Sequence, residues 1–236
     1  SWCGKSNGLA MYYSESSTVT LTLRLFYTGR FASMPFEFKL CYKFIKKELA
    51  DARFGSALAP IERGEIIPGT YCSRNYYECH RKKCQVQSAN YPGIYPRNMT
   101  CSYQVRQKVV PKCKHGMILV RQNNSHKMKL KRSADEQNNT ETGLQVWDKC
   151  DASKDRIVFH DGLSTEDAVL LVFCGGDWLP PVLSRGSQML LTFHSAAQNI
   201  PLEPRELLPL LSGFELDVDT VFTDSDSFDF SRHRFE

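Results

Sequence analysis

The sequence predicts an all-β protein whose main part is an antiparallel β-sandwich. Between residues 101 and 222, eight short segments rich in β-branched, aromatic and aliphatic residues are separated by turn-forming residues. Several of these segments alternate apolar with polar positions, which is the period of a strand buried on one face. Of the 236 residues, 42% are hydrophobic and 24% are charged, and this composition is typical of a folded globular protein.

The predicted strands are, in chain order, 101–106, 117–122, 127–131, 144–147, 155–159, 169–174, 188–194 and 213–222. Short strands joined by turn signals favour two packed antiparallel sheets. Residues 1–45 contain two more alternating segments, 17–26 and 36–44, which are predicted to be half-buried strands.

Residues 46–83 interrupt this pattern. Glycines and prolines break any long element, so a linker that carries Cys72 and Cys79 is expected. Its basic run, 80–83, could bind an anionic glycan or phosphate surface, although short runs of this kind are usually solvated connectors. Residues 223–236, rich in Asp, Ser and Phe, are expected to be a flexible polar tail.

The nine cysteines favour an oxidising compartment. Zinc ribbons need Cys-x2-Cys pairs, and the cysteines here are scattered. Sequons at Asn98, Asn123 and Asn138 would accept N-glycans in a secreted chain. The expected localisation is therefore extracellular, as a secreted protein or as the ectodomain of a membrane protein.

Two classes of partner are not indicated by the sequence. No apolar run approaches the about 20 residues that span a bilayer, so no transmembrane segment is expected in this chain. The net charge of +4 is small for this length and does not indicate nucleic acid.

The most specific pattern is the stretch 84–101. It reads Cys-Gln-Val-Gln-Ser-Ala-Asn-Tyr-Pro-Gly-Ile-Tyr-Pro-Arg-Asn-Met-Thr-Cys and contains two Tyr-Pro turns. It resembles the opening of a CUB domain. The second half of the CUB sequence pattern is similar to three later features: Cys150, the stretch 155–162 that ends in an Asp-Gly turn, and Cys174. The resemblance implies a jelly-roll sandwich over 84–222, in an extracellular module that binds partners.

The same resemblance implies disulfides Cys84–Cys101 and Cys150–Cys174. It also implies that residues 1–45 are the C-terminal part of a truncated CUB-like domain, with the partner of Cys3 upstream. Among the other cysteines, Cys72 and Cys79 are close together and are expected to pair. The partners of Cys41 and Cys113 stay open.

Many CUB domains bind calcium through a tyrosine, a glutamate and two aspartates, and Asp155 matches the first aspartate. Ala196 stands where the second acid is expected, and no glutamate matches. Calcium needs about 6–8 oxygen ligands, so neither a calcium site nor another cofactor is expected. Asp155 is expected instead to accept hydrogen bonds from loop amides or to pair with Arg156 or Lys154.

The sequence contains no catalytic motif: Gly-x-Ser-x-Gly, His-Glu-x-x-His and the phosphate-binding glycine loops are absent. The expected function is recognition of an extracellular protein or glycan by loops, with Trp178, Arg185, Gln198 and Asn199 as candidate ligand-binding residues. The alternative is a non-catalytic docking segment of a secreted protease, because CUB domains often flank protease domains.

Overall fold

A computed structural model describes residues 12–14, 18–23, 40–46, 49, 61–91, 95–122, 150, 155–174, 179–197 and 213–224. The chain divides into two compact units, a smaller one of Ser14–Pro60 and a larger one that contains Ile61–Glu236. Within the described ranges, no helix is long and apolar enough to cross a membrane.

The larger unit is built from strands. They are β1 (Ile61–Glu62), β2 (Glu65–Ile66), β3 (Arg74–Tyr77), β4 (Lys83–Gln87), β5 (Thr100–Arg106), β6 (Lys114–Gln122), β7 (Arg156–His160), β8 (Val169–Phe173), β9 (Val182–Leu183), β10 (Gln188–His194) and β11 (Glu215–Asp224).

These strands form two sheets that pack face to face. The five-stranded sheet has the order β1-β4-β11-β6-β9, and the six-stranded sheet has the order β2-β3-β5-β10-β7-β8. All neighbouring pairs are antiparallel except β1–β4 and β3–β5, which are parallel. The predicted all-β sandwich is confirmed, with two parallel pairs near one edge of the fold.

Alternation of side chains along the strands produces the core. In β5, Cys101, Tyr103 and Val105 are buried while the residues between them are only partly covered, because successive side chains of a strand point to opposite faces. Two buried tyrosines then join the sheets through their hydroxyls. Tyr76 donates to the Gln85 carbonyl at 3.1 Å, and Tyr103 donates to the Gln87 carbonyl at 3.1 Å.

Most of the predicted strands agree with the structure. The segment 188–194 is β10 without any change of bounds, and the predictions 101–106, 117–122, 155–159, 169–174 and 213–222 correspond to β5, β6, β7, β8 and β11 with small shifts. The predicted strands 127–131 and 144–147 lie outside the described residues, as does the predicted tail after residue 224.

The prediction that 46–83 is a linker is wrong from residue 61 onward. Residues 61–77 supply β1 to one sheet and β2 and β3 to the other, so they close one side of the sandwich. The turn between β1 and β2 includes Gly64 at φ +74°, and its carbonyl accepts a hydrogen bond from Arg74 Nη1 at 2.8 Å. The domain therefore begins upstream of Cys84.

Two predicted disulfides are also wrong. Cys101 pairs with Cys72 rather than Cys84, and Cys84 pairs with Cys79; the Cys150–Cys174 bridge is confirmed. The reason is the parallel pairing of β3 with β5, which aligns Arg74 with Tyr103 and so brings Cys72, two residues before Arg74, beside Cys101, two residues before Tyr103. Cys41 and Cys113 are free and exposed.

The described parts of the smaller unit differ from their prediction. Residues 18–23 and 40–46 form no strand, and the apolar side chains of the alternating pattern, including Val19, Leu21 and Leu23, are exposed. Alternation forms a strand only where a partner strand and a covered face exist. The interpretation of residues 1–45 as the end of another CUB-like domain stays a prediction.

The bridges should contribute unequally to stability. Cys72–Cys101 joins residues that are 29 apart in sequence, and Cys79–Cys84 joins residues that are 5 apart. The loss of loop-closure entropy in the unfolded chain should therefore stabilise the fold by roughly 3.5 kcal/mol for the first bridge and roughly 2 kcal/mol for the second. We expect Cys72→Ser/Cys101→Ser to lower the urea midpoint more than Cys79→Ser/Cys84→Ser does. Peptide mapping without reduction checks the pairing directly, and a fragment linking Cys84 to Cys101 would contradict it.

Gly64 should not tolerate a side chain. A Cβ there would lie 2.8 Å from the Asn75 carbonyl oxygen and from the Tyr76 ring, so Gly64→Ala should cost about 2–4 kcal/mol of unfolding free energy through strain and displacement. Gly69→Ala is the matched control, because Gly69 has φ +78° with nothing within 4 Å. It should cost only about 1 kcal/mol. Equal losses in thermal unfolding would refute the close contact.

Candidate functional site

Three chain segments meet at the end of the sandwich where β10 finishes. They are the 95–99 turn, Asp155 just before β7, and Ser195 and Ala196 just after β10. The β10–β7 register places Phe193 beside Ile157 and His194 beside Arg156, so Asp155 and the residues after His194 are neighbours. We call Tyr95, Arg97, Asp155, Ser195 and Ala196 the Asp155 cluster.

The carboxylate of Asp155 is the centre of this cluster. Its side chain is only 2% exposed, and Arg97 Nη1 contacts both of its oxygens, at 2.8 and 2.6 Å. The Tyr95 hydroxyl donates to Oδ2 at 2.6 Å, and the Ala196 amide donates to Oδ1 at 2.7 Å. Every oxygen of this buried anion is therefore hydrogen-bonded, as a buried charge requires.

Tyr95 connects the cluster to the hydrophobic core. Its ring packs edge-on against Phe193 at 4.9 Å, and Phe193 packs edge-on against Phe214 at 4.9 Å, a geometry that aromatic pairs favour. The Arg97 guanidinium also lies 5.5 Å from the Tyr95 ring centre. Burial raises the pKa of Tyr95 well above its ordinary value, and the Asp155 charge raises it further while Arg97 opposes the rise. The hydroxyl thus stays a donor.

Ser195 fastens the 95–99 turn to the end of β10. Its amide donates to the Met99 carbonyl at 2.9 Å, and its hydroxyl oxygen accepts from the Met99 amide at 3.0 Å while donating to the Pro96 carbonyl at 3.0 Å. The Asn98 amide donates to the Ala196 carbonyl at 3.3 Å. This serine is therefore occupied by backbone groups, and the turn is held at both ends.

The cluster does not fit a calcium ion. A hard cation needs about 6–8 oxygen ligands, and here a guanidinium of the chain itself already lies against the one matched carboxylate. Ala196 contributes an N–H donor where an acid is needed. Across the described residues, no group of three His, Cys, Asp or Glu side chains is arranged to hold a metal.

The structure places Asp155 partly as predicted. The expected hydrogen bond from a loop amide is present, from Ala196. The cation that contacts the carboxylate is Arg97 and not Arg156; Lys154 lies outside the described residues. Sequence reasoning missed Arg97 because its Tyr-Pro-Arg context was interpreted only as a turn.

Of the predicted ligand-binding residues, Arg185 is described by the structure, and it does not lie at this end. Arg185, which lies between β9 and β10, is 77% exposed, and its amide and guanidinium contact Asp161, which directly follows β7. The seven residues of β10 separate it from Ser195 by about 20 Å. Trp178, Gln198 and Asn199 lie outside the described residues, as do the sequons at Asn123 and Asn138. Asn98 is exposed at the Asp155 end.

Two features expected from the resemblance occur together in the larger unit. It is a two-sheet sandwich, and its Cys150–Cys174 bridge ends directly after β8. The expected bridge between Cys84 and Cys101 is not formed, because Cys101 pairs with Cys72. The larger unit is thus a β-sandwich, which is the architecture that the resemblance to CUB domains implies.

Solved structures with CUB domains are similar to this chain at low sequence identity. The CUB1-EGF-CUB2 domains of rat MASP-1 align with 63% of this chain at 15% identity and a TM-score of 0.41. The same region of human MASP-1/3 aligns with 61% at 22% identity and a TM-score of 0.37. The MASP-1 CUB2 domain bound to Ca²⁺ aligns with 61% of this chain and 96% of its own length, at 14% identity and a TM-score of 0.36.

This chain spans 41% and 43% of the first two of those structures. A scan against protein-family models finds no match, and a search of curated proteins finds none either.

The Arg97–Asp155 pair of the sandwich should contribute strongly to stability. Asp155→Asn leaves a guanidinium that is only 10% exposed without its counter-charge, which should cost about 3–5 kcal/mol of unfolding free energy. Asp219→Asn is the control, because its pair with Arg121 is exposed on both sides and is worth about 0–1 kcal/mol. Denaturant titrations measure both, and similar losses would contradict the role given to Asp155.

Proposed function

We propose that this chain is an extracellular binding module that recognises a protein or glycan through exposed loops, without catalysis and without calcium. The observation that carries the proposal is the Asp155 cluster. Its only anion is neutralised and fully hydrogen-bonded by Arg97, Tyr95 and Ala196, so this end of the sandwich is held in shape by the chain itself.

The disulfides support the extracellular location. Three bridges occur in the larger unit, and such bonds persist in oxidising compartments. The exposed sequon at Asn98 is compatible with the same location because N-glycans are added in the secretory pathway. These observations fit a secreted chain and an ectodomain equally.

The buried polar side chains support a binding role over a catalytic one. Ser195 and Ser184 bond to backbone carbonyls and amides, and neither has a histidine base as its described partner. A nucleophile needs a base within hydrogen-bond reach. In the described part of the chain, these serines join loops to strands.

Binding should be visible on cells. Fluorescently labelled secreted chain is expected to bind intact cells saturably and equally well in EDTA, because the loops are fixed by disulfides and by the Arg97–Asp155 pair. Reduced and alkylated chain is the matched control. A native chain that binds no better than this control would overturn the proposed function.

Stability should not respond to calcium. A site with a Kd of about 10⁻⁴ M would add roughly 2.7 kcal/mol at about 100-fold excess of the ion, which raises Tm by several degrees. We expect the same Tm by calorimetry in EDTA and in about 10 mM calcium, because Arg97 already neutralises Asp155. A calcium-dependent rise in the wild type that Asp155→Asn abolishes would show that the carboxylate does bind the ion.

A further inference from the structure

The end of the sandwich opposite the Asp155 cluster carries two basic loops. One, residues 78–83, runs from the end of β3 to the first residue of β4, and the other, residues 107–114, runs from the end of β5 to the first residue of β6. They hold six exposed lysine and arginine side chains: Arg81, Lys82, Lys83, Lys108, Lys112 and Lys114. We call residues 78–83 and 107–114 the basic loop pair.

Glu78 holds the two loops side by side. Its carboxylate accepts hydrogen bonds from the Lys108 amide at 3.0 Å, the Val109 amide at 3.4 Å and the Gln107 side chain at 2.7 Å. Partial burial raises the pKa of Glu78, but these hydrogen bonds outweigh that effect and lower it. The only acid of the basic loop pair is therefore engaged in structure, and it fixes the second loop against the first.

A disulfide limits the motion of the first loop. Cys79–Cys84 closes a ring around His80, Arg81, Lys82 and Lys83, so the three consecutive exposed cations Arg81, Lys82 and Lys83 project from a covalently closed turn. The His80 ring packs edge-on against Phe222 at 5.4 Å, and its Nδ1 lies 3.0 Å from Gln107 Oε1. A site ordered before binding loses less conformational entropy on binding.

The positive charges of the basic loop pair are available. Arg81, Lys83 and Lys112 have no carboxylate within 4 Å among the described residues, and Lys108 lies over the Tyr77 ring at 4.9 Å. Lys82 and Lys114 pair with Glu62 and Asp224, but both pairs are solvent-exposed, and such pairs are weak enough to exchange partners.

Apart from Glu62, Glu78 and Asp224, the described acids at this end belong to another region. Asp161, Glu166 and Asp167 lie in the loop between β7 and β8, at the far side of the six-stranded sheet from β3. Asp161 faces Arg185, and Asp167 accepts the Ser164 amide at 2.8 Å. At this end, the acids of the β7–β8 loop thus lie on one side, and the basic loop pair lies on the other.

The chemistry of the basic loop pair fits a polyanion better than a protein. Protein interfaces are centred on buried aromatic or arginine anchors in pockets, whereas the exposed residues here are basic or small, with Val109 as the one large exposed apolar side chain. Outside cells, anionic lipid of the cytoplasmic leaflet is not presented. This step rests on the proposed extracellular function: once anionic lipid is set aside, the abundant polyanion outside cells is sulfated polysaccharide.

We propose that the basic loop pair binds the sulfate groups of an extracellular sulfated polysaccharide. Arg81 suits bidentate contact with a sulfate, and the lysines act as point charges along the chain. The exposed Asn98 sequon lies at the opposite end of β5, so a glycan there leaves the loops open.

Heparin is the probe for this site. Immobilised heparin should bind the full chain in a salt-dependent manner, and Arg81→Ser/Lys83→Ser/Lys112→Ser should weaken binding on the order of a hundredfold, because each basic residue near an anionic surface contributes about a fivefold factor. The matched control, Lys43→Ser/Lys46→Ser/Arg121→Ser, removes three exposed charges elsewhere and should change affinity less than about threefold. Equal losses in the two variants would overturn the proposal.

A second variant separates geometry from charge. Cys79→Ser/Cys84→Ser keeps every basic residue but opens the ring, and we expect it to bind heparin several-fold more weakly in the same assay. Unchanged affinity would refute the preordered loop. Folding of each variant is checked by its thermal unfolding transition.

Other anionic ligands in the same assay distinguish sulfate from other sources of negative charge. Fully desulfated heparin, phosphatidylserine vesicles and double-stranded DNA should each bind far more weakly than heparin, and equal binding to any of them would overturn sulfate recognition. Saturable cell binding without affinity for heparin would refute this site while leaving the binding function standing, whereas failure of both assays would refute both proposals.

Discussion

The buried pair of Arg97 and Asp155 is the interaction on which one whole end of the sandwich depends. The carboxylate is 2% exposed and the guanidinium 10%, so neither charge is stable without the other. Three segments distant in sequence converge on the carboxylate: the turn that contains Tyr95, the start of β7 and the end of β10. Removing the Asp155 carboxylate would release the turn that contains Tyr95 and would leave the Tyr95 hydroxyl without its hydrogen-bond acceptor.

The two ends of the domain are held by different means. At the Asp155 end, an ion pair and the aromatic series of Tyr95, Phe193 and Phe214 fix the loops. At the other end, the Cys79–Cys84 bridge and the Glu78 carboxylate fix the basic loops. Among the described residues, the chain's own contacts therefore hold both ends in place, which is what the proposed loop-based binding would use.

The sequence predicted most of the longer strands of the sandwich but not the short strands β1 and β2 at its edges. Alternation located β10 because Met189, Leu191 and Phe193 all face the core. It missed β1 and β2, since two-residue strands carry no period and Gly64 suggested only a loop. The partner of Cys101 depends on the parallel β3–β5 pairing, and Arg97 reaches Asp155 only after folding; neither contact has a local signature.

The central claim is that Arg97 and Asp155 act as one unit, and a double-mutant cycle tests it most directly. Unfolding free energies would be measured in urea for the wild type, Arg97→Gln, Asp155→Asn and the double variant. A coupled pair predicts an interaction energy of about 2 kcal/mol or more, with the double variant losing far less than the sum of the single losses. Losses that add within about 0.5 kcal/mol would contradict the account.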